Sequence, residues 1–504
     1  MGVASAFSFV KESPVCLRRK QVNCMHDLIV IGNDLSSHVA AALTAGYGLD
    51  TVLVAEHGAY GLVLSDNFAF NIDPTPMSGF GADQTCLSLL AELDIPPIER
   101  DCTLLNPAYQ IILPEHRIDF FNEKDELIKE MAREFPECAR EIREFYDWAE
   151  TRCALFKEWL HSHPLISPHS IKDYRDYLKM MPHFVVHQLE KAKFNKLLDN
   201  NPSLEKVFAA QEALLSCTTD NINNFSSGFQ HCVPFRGVYY FQQGKQTLFN
   251  SLVRKLEANN GLYLSPCEVL NIKNGDPIEV EISDSTGNSS VISGKKLILS
   301  TKSKKMDILF AGKKKFSFNE WLNPATVSRL PFTIHLGCKS RCIPEKMSHY
   351  VAVVSDVHKD IYNDNLILLE ANTPQDANAP AADWLSLAAT TFLPAGDEVW
   401  SQENLAAQAS SIIDRLEFFL PFLKENIDFF DLEKSIEISK ISHGIITPKY
   451  KMRNSLLTGF AARTNKTGFK NIYLTGASLL ADAGFEGEIL SGMNASSIII
   501  AGKV

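Results

Sequence analysis

The chain has 504 residues, 45% of them hydrophobic and 22% charged, and a formal net charge of −11. This length and composition suit a soluble globular protein of two domains or one two-lobed enzyme. The acidic balance argues against nucleic acid as a partner, because phosphate binding needs a basic surface.

Residues 1–24 place their basic side chains after a short apolar patch, the reverse of a secretory signal. Ala6 stands where myristoylation needs Ser or Thr. We read this segment as a disordered extension ahead of "MHDLIVIG". From Leu28 to Gly32 and from Thr51 to Ala55, two short apolar strands flank a helix over about Leu35–Ala45. That is the start of a βαβ unit with a buried parallel sheet. Glu123 to Trp159 reads as long helices, and short helical patches broken by prolines continue to about Asn201. "HFVVH" lacks the glutamate of a zinc helix, so His183 and His187 are ordinary helix residues. A further helix covers Ser203–Ser216.

After Arg236 come a strand, "GVYYF", and an amphipathic helix within "QQGKQTLFNSLVRKLEANNG". The alternating "EVEISDSTGNSSVIS" forms a hairpin, and Lys295–Thr301 a separate buried strand. "KSKKMDILFAGKKK", from Lys302, is a solvated loop. Residues 313–440 mix strands with a helix near 402–424. Asn471–Gly476 is a strand, and Gly487–Ile500 an apolar closing helix. No apolar run reaches the ~20 residues of a membrane span. The eleven cysteines show no paired metal-ligand spacing, so no metal is expected and reduced thiols are the default. A cytoplasmic location follows, with peripheral membrane contact compatible.

The turn "GNDLSS" departs from the dinucleotide pattern G-x-G-x-x-G. Gly32 keeps the tight turn, Asp34 occupies the second glycine position and Ser37 the third. A carboxylate about 5 Å from a phosphate charge costs ~3 kcal/mol at an effective dielectric of ~20. Alternatively, Asp34 caps the helix and takes the place of the phosphate. Glu56 ends the second strand, where an acid would hold the adenosine ribose.

Together with "SDNFAFNIDPTPMSGFG", "YFQQGKQTLFNSLVRKLEANNGLYL…CEVLNI", "RLEFFLPFLKENI" and "NIYLTGASLLADAGFEGEILSGMNAS", the opening stretch resembles the phytoene desaturase-like branch of the flavin-dependent amine oxidase superfamily. The resemblance implies an α/β chain with a GR2-type, Rossmann-like FAD-binding lobe interleaved with an α+β substrate lobe. The division is 25–100, 236–312 and 440–504 for the FAD-type lobe, and 101–235 and 313–439 for the substrate lobe. It implies FAD as cofactor and hydride transfer on an apolar small molecule or lipid, as in desaturases and saturases. It assigns no catalytic side chain.

The cofactor positions so implied are Gly32, Asp34, Ser37, Glu56, Val269, Gly476, Ala477, Gly484 and Gly487. Several depart from the family. Asn71 and Asp73 replace an aspartate and a glycine, Ala481, Asp482 and Ala483 replace proline-glycine-glycine, and Glu488 replaces a small residue. The alternative is a flavin-free homologue that binds a lipid or protein. Rab GDP-dissociation inhibitors show that the fold does such work, although their signature segments are missing here. The two readings divide on Asp34, Asp73, Asp482 and Glu488: carboxylates directed into the nucleotide groove favour binding, and carboxylates facing outward favour redox chemistry.

Overall fold

The computed structural model describes residues 25–56, 62–65, 68–96, 102–162, 171–219, 223–241, 243–303, 325–372, 383–443, 446–460 and 464–502. The N-terminal extension and the basic run beyond Ser303 lie outside these residues.

Leu28, Ile29, Val30 and Ile31 are fully buried, as a parallel strand covered on both faces requires. Their strand, Met25–Ile31, pairs in parallel with Thr51–Val54 on one side and Ser289–Ser300 on the other. Leu262–Leu264 extends the sheet beyond Thr51–Val54, while Ile278–Asp284 and Cys267–Lys273 extend it beyond Ser289–Ser300. The hairpin arm and the buried strand expected after residue 289 are one strand. Its first half pairs antiparallel with Ile278–Asp284, and its second half in parallel with Ile472–Thr475. This sheet therefore draws its strands from the beginning, middle and end of the chain.

A second, mostly antiparallel sheet is built around Ala325–Lys339, Trp384–Pro394, Leu366–Asn372 and Tyr350–Val354, with Tyr109–Ile112 joining in parallel. Helices Lys124–Glu134, Ala139–Ser162 and Pro202–Leu215 pack an aromatic-rich core beside it. Of the prolines expected to break the segment before Asn201, Pro164 and Pro168 lie outside the described residues, and Pro182 does not break it. Ile171–Asp199 is one helix of 29 residues with Pro182 inside. Burial of Phe184, His187, Phe194 and Leu198 along its inner side offsets the ~3 kcal/mol that an interior proline costs. Among the described residues no helix is long and apolar enough to cross a membrane.

The closing helix, Gly484–Ala501, lies against the first helix, Leu35–Gly46. A Cβ on Gly492 would come within 2.4 Å of the Ser36 carbonyl oxygen, so only glycine permits this approach. The contact brings the start of each helix to the same groove.

Candidate functional site: a groove closed by its own ion pairs

The groove begins at the turn after the first strand. Gly32 is confined there, since a Cβ would lie 2.2 Å from Ser37 Oγ and 2.6 Å from Ser300 Cβ. Asp34 follows with φ −80° and ψ 164° as the N-cap of the first helix. One carboxylate oxygen accepts from Ser37 N (3.0 Å), Ser37 Oγ (2.6 Å) and Ser36 Oγ (2.9 Å), and the other from Ser300 Oγ. The side chain is completely buried. Burial alone would raise its pKa, but the Lys302 ammonium and the serine hydroxyls prevail and hold it below the ordinary value.

Glu488 reaches the same helix end from the second turn of the closing helix. Its Oε1 accepts the Leu35 backbone N–H at 3.2 Å and lies 3.4 Å from Lys302 Nζ; its Oε2 accepts from Thr447 Oγ1 at 3.4 Å. Lys302 is buried, which corrects the expectation of a solvated loop at that position. Desolvation works against its charge, yet Glu488, Asp34 and Asp73 raise its pKa overall.

The same pairing continues toward the lobe boundary. Asp73 pairs with Lys245 and accepts from Thr75 Oγ1 at 2.6 Å. Burial opposes ionisation of Asp73, and the Lys245 charge overcomes it, leaving the carboxyl pKa lowered. Asn71 donates to Glu370 Oε1 at 2.6 Å. Glu486, 1% exposed, pairs with Arg236 and accepts from Ser78 Oγ at 2.9 Å. The Arg236 guanidinium also covers the Phe229 ring at 3.9 Å. Asp482 is buried, and its main-chain carbonyl accepts from Gln230.

The other positions implied by the resemblance lie along this groove and are engaged within the chain. Glu56 is half-buried and accepts the Val269 backbone N–H at 3.3 Å. Gly476 (φ +136°) donates its N–H to Ser491 Oγ at 2.9 Å, and Ala477 is buried beside it. Gly484 takes φ +57°, where a Cβ would sit 1.9 Å from the Leu215 carbonyl oxygen. At Gly487 the corresponding contact is the Leu480 carbonyl oxygen at 2.2 Å. Close packing therefore accounts for these glycines without a cofactor.

The FNIDPT segment and the closing helix, both on the FAD contour that the resemblance implies, meet at a cavity. The cavity at that point holds about 30 Å³ between Asp73–Pro76, Lys245, Leu215–Cys217, Lys449, Phe392 and Phe485. That is room for about two water molecules, not for the several hundred Å³ of a cofactor. Lys449 Nζ donates to the carbonyls of Ala213 (2.6 Å) and Ser216, and burial lowers its pKa to about 8.

FAD therefore does not fit these residues as they stand. Of the first-turn N–H groups that would face its pyrophosphate, Leu35 is held by Glu488 and Ser37 by Asp34. Sequence patterning singled out Asp34, Asp73, Asp482 and Glu488 but missed the partners Ser300, Lys302, Lys245 and Arg236, and also Glu486. An acid every second residue in "FEGE" was the one available signal for Glu486.

No family model and no curated protein matches the chain. Solved structures do. A putrescine oxidase redesigned in its cofactor binding superimposes with a TM-score of 0.56 at 13% identity, over 95% of this chain and 99% of that one. An oxidoreductase from Methanosarcina mazei gives 0.51 at 14% identity, over 94% and 100%. A protein described as a protoporphyrinogen oxidase from Exiguobacterium gives 0.50 at 13%, over 95% and 100%. The chain thus has the α/β fold expected, a Rossmann-like lobe of the FAD-binding type interleaved with an α+β lobe.

Proposed function

We propose that this chain is a flavin-free member of the flavin-oxidoreductase fold, a lipid-binding protein rather than a redox enzyme. One observation carries the reading: the Asp34 and Glu488 carboxylates sit on the helix N–H groups that a dinucleotide would use. A pyrophosphate brought to ~5 Å from either carboxylate meets ~3 kcal/mol of repulsion per charge pair, on the order of a hundredfold in affinity.

The binding surface is sought on the helix Ile171–Asp199. Leu178, Met181, Val185 and Leu189 recur along it three or four residues apart, with exposures of 70%, 41%, 50% and 72%. A helix packed on a core normally turns polar residues outward. This one turns an apolar stripe outward, accompanied by exposed Arg175, Lys179, Lys193 and Lys196. Apolar side chains with a cationic margin suit an anionic lipid surface. The net charge of −11 does not forbid the contact, because charges beyond ~8 Å are largely screened at physiological salt.

The second reading is an FAD-dependent oxidoreductase of the phytoene desaturase type, acting on a lipophilic substrate. Glu56 favours it, standing at the end of the second strand where an acid would hold the ribose.

Both readings are separated by incubating the purified protein with FAD, desalting it and recording its visible spectrum. The flavin-free reading expects a colourless protein that floats with anionic vesicles and less with neutral ones. A yellow protein with stoichiometric flavin overturns it, and a colourless protein that ignores both vesicles removes the lipid role.

A further inference from the structure

The groove at the start of the first helix gathers many donors around two carboxylates. Around Asp34 and Glu488 stand the N–H groups of Leu35 and Ser37, the hydroxyls of Ser36, Ser37, Ser300 and Thr447, and the Lys302 ammonium. Every one of these groups donates to, or pairs with, one of the two carboxylates. Helix N–H groups, hydroxyls and a buried ammonium form the donor set that binds a phosphate anion. The helix dipole adds a partial positive charge in the same place.

From this arrangement we infer that Asp34 and Glu488 are built-in substitutes for a pyrophosphate, and that removing them opens a latent site for inorganic pyrophosphate. The inference rests on the flavin-free reading and adds to it. At the helix end of the groove, these two side chains exclude the anion. The main chain of the turn is already placed for a ligand, since Gly32 keeps its tight conformation and Asp34 is extended. Without the carboxylates, the N–H and hydroxyl donors named above lose the acceptors that now hold them and Lys302 loses its ion pair with Glu488, which is costly unless an anion enters.

The test is calorimetric titration and thermal unfolding of the full chain with inorganic pyrophosphate, for the wild type and the double variant Asp34→Gly with Glu488→Ala. The wild type is expected to show neither heat of binding nor a shift in Tm. The double variant is expected to unfold at a lower temperature, to regain Tm as pyrophosphate is added, and to bind it at least a hundredfold more tightly than the wild type. Asp34→Asn with Glu488→Ala, which keeps a helix-capping side chain, covers the case in which the glycine variant does not fold.

A folded variant that ignores pyrophosphate overturns the inference, as does equal binding by the wild type. Failure of both variants to fold, even when refolded with pyrophosphate present, overturns it too. FAD run beside pyrophosphate keeps the two ideas apart. FAD binding by the wild type sinks the flavin-free reading, whereas a wild type and a folded variant that both refuse every anion sink the latent site alone.

Discussion

The two ends of the groove differ in how firmly the chain has closed them. At the end where an adenosine would lie, Glu56 is half-buried and makes one backbone contact, at 3.3 Å, to Val269. From the helix N-terminus toward the lobe boundary, Asp34, Glu488 and Glu486 are buried, the Asp73 side chain is 10% exposed, and each is tied to a cation or to several donors. The open end still resembles a nucleotide site, and the closed end has become part of the folded core. Position along one groove therefore decides how far an acidic residue is drawn into the folded core.

Arg236 offers the strongest way to break this contrast. Arg236→Met leaves the Glu486 carboxylate buried beside Ser78 without its cation, and breaking a buried pair in this way costs about 3–5 kcal/mol. Urea denaturation should show that loss. Adding Glu486→Leu to the variant should recover part of it, because no unpaired charge then remains.

Acid should attack the closed end next. His38 donates from Nδ1 to the Asp34 carbonyl (2.9 Å), and burial lowers its pKa from 6.5 to about 4. The unfolded chain binds a proton at His38 between those values and the folded chain does not. Stability from this group is therefore complete above pH 6.5 and falls by up to about 3 kcal/mol as pH drops toward 4. His335, lowered to about 4, and His231, lowered to about 3, act in the same direction in the other lobe. Asp34 contributes stability above the ordinary carboxyl pKa of 3.8 and loses it as pH falls further. Urea midpoints measured between pH 7 and 4 (roughly the window these values define) should decline steadily. His38→Gln should flatten part of the slope, and an unchanged slope would remove His38 from the account.

Smaller effects sharpen the comparison at single residues. Asp34→Ala removes the cap and the acceptor of three serine hydroxyls, for a loss of about 2 kcal/mol by thermal unfolding. Glu56→Gln at the open end should change stability by no more than ~0.5 kcal/mol. Equal losses at the two positions would erase the distinction between the ends.

Much of this architecture is legible in the sequence because its signals are local. The continuous apolar run Leu28–Ile31, the S-T-G-N turn of the hairpin and the small residues of the closing helix each act within a few residues. The helix through Pro182 is not legible, because its inner residues hold it to a core assembled from distant segments. The site divides in the same way. The misplaced carboxylates show against the expected glycine pattern, but Lys302 meets Glu488 across 186 residues, Arg236 meets Glu486 across 250 and Lys245 meets Asp73 across 172. Nothing near Lys302 in the chain marks it as buried, since it opens a run that reads as a solvated loop. Without their cations the acids looked like a defect in a cofactor site, whereas with them they form the site's filling.

Titration of FAD into the wild-type protein, followed by calorimetry, tests the central claim most directly. The account predicts no saturable heat, because the anion's place is already filled. Saturable one-to-one binding, with visible flavin retained on the protein, would contradict it.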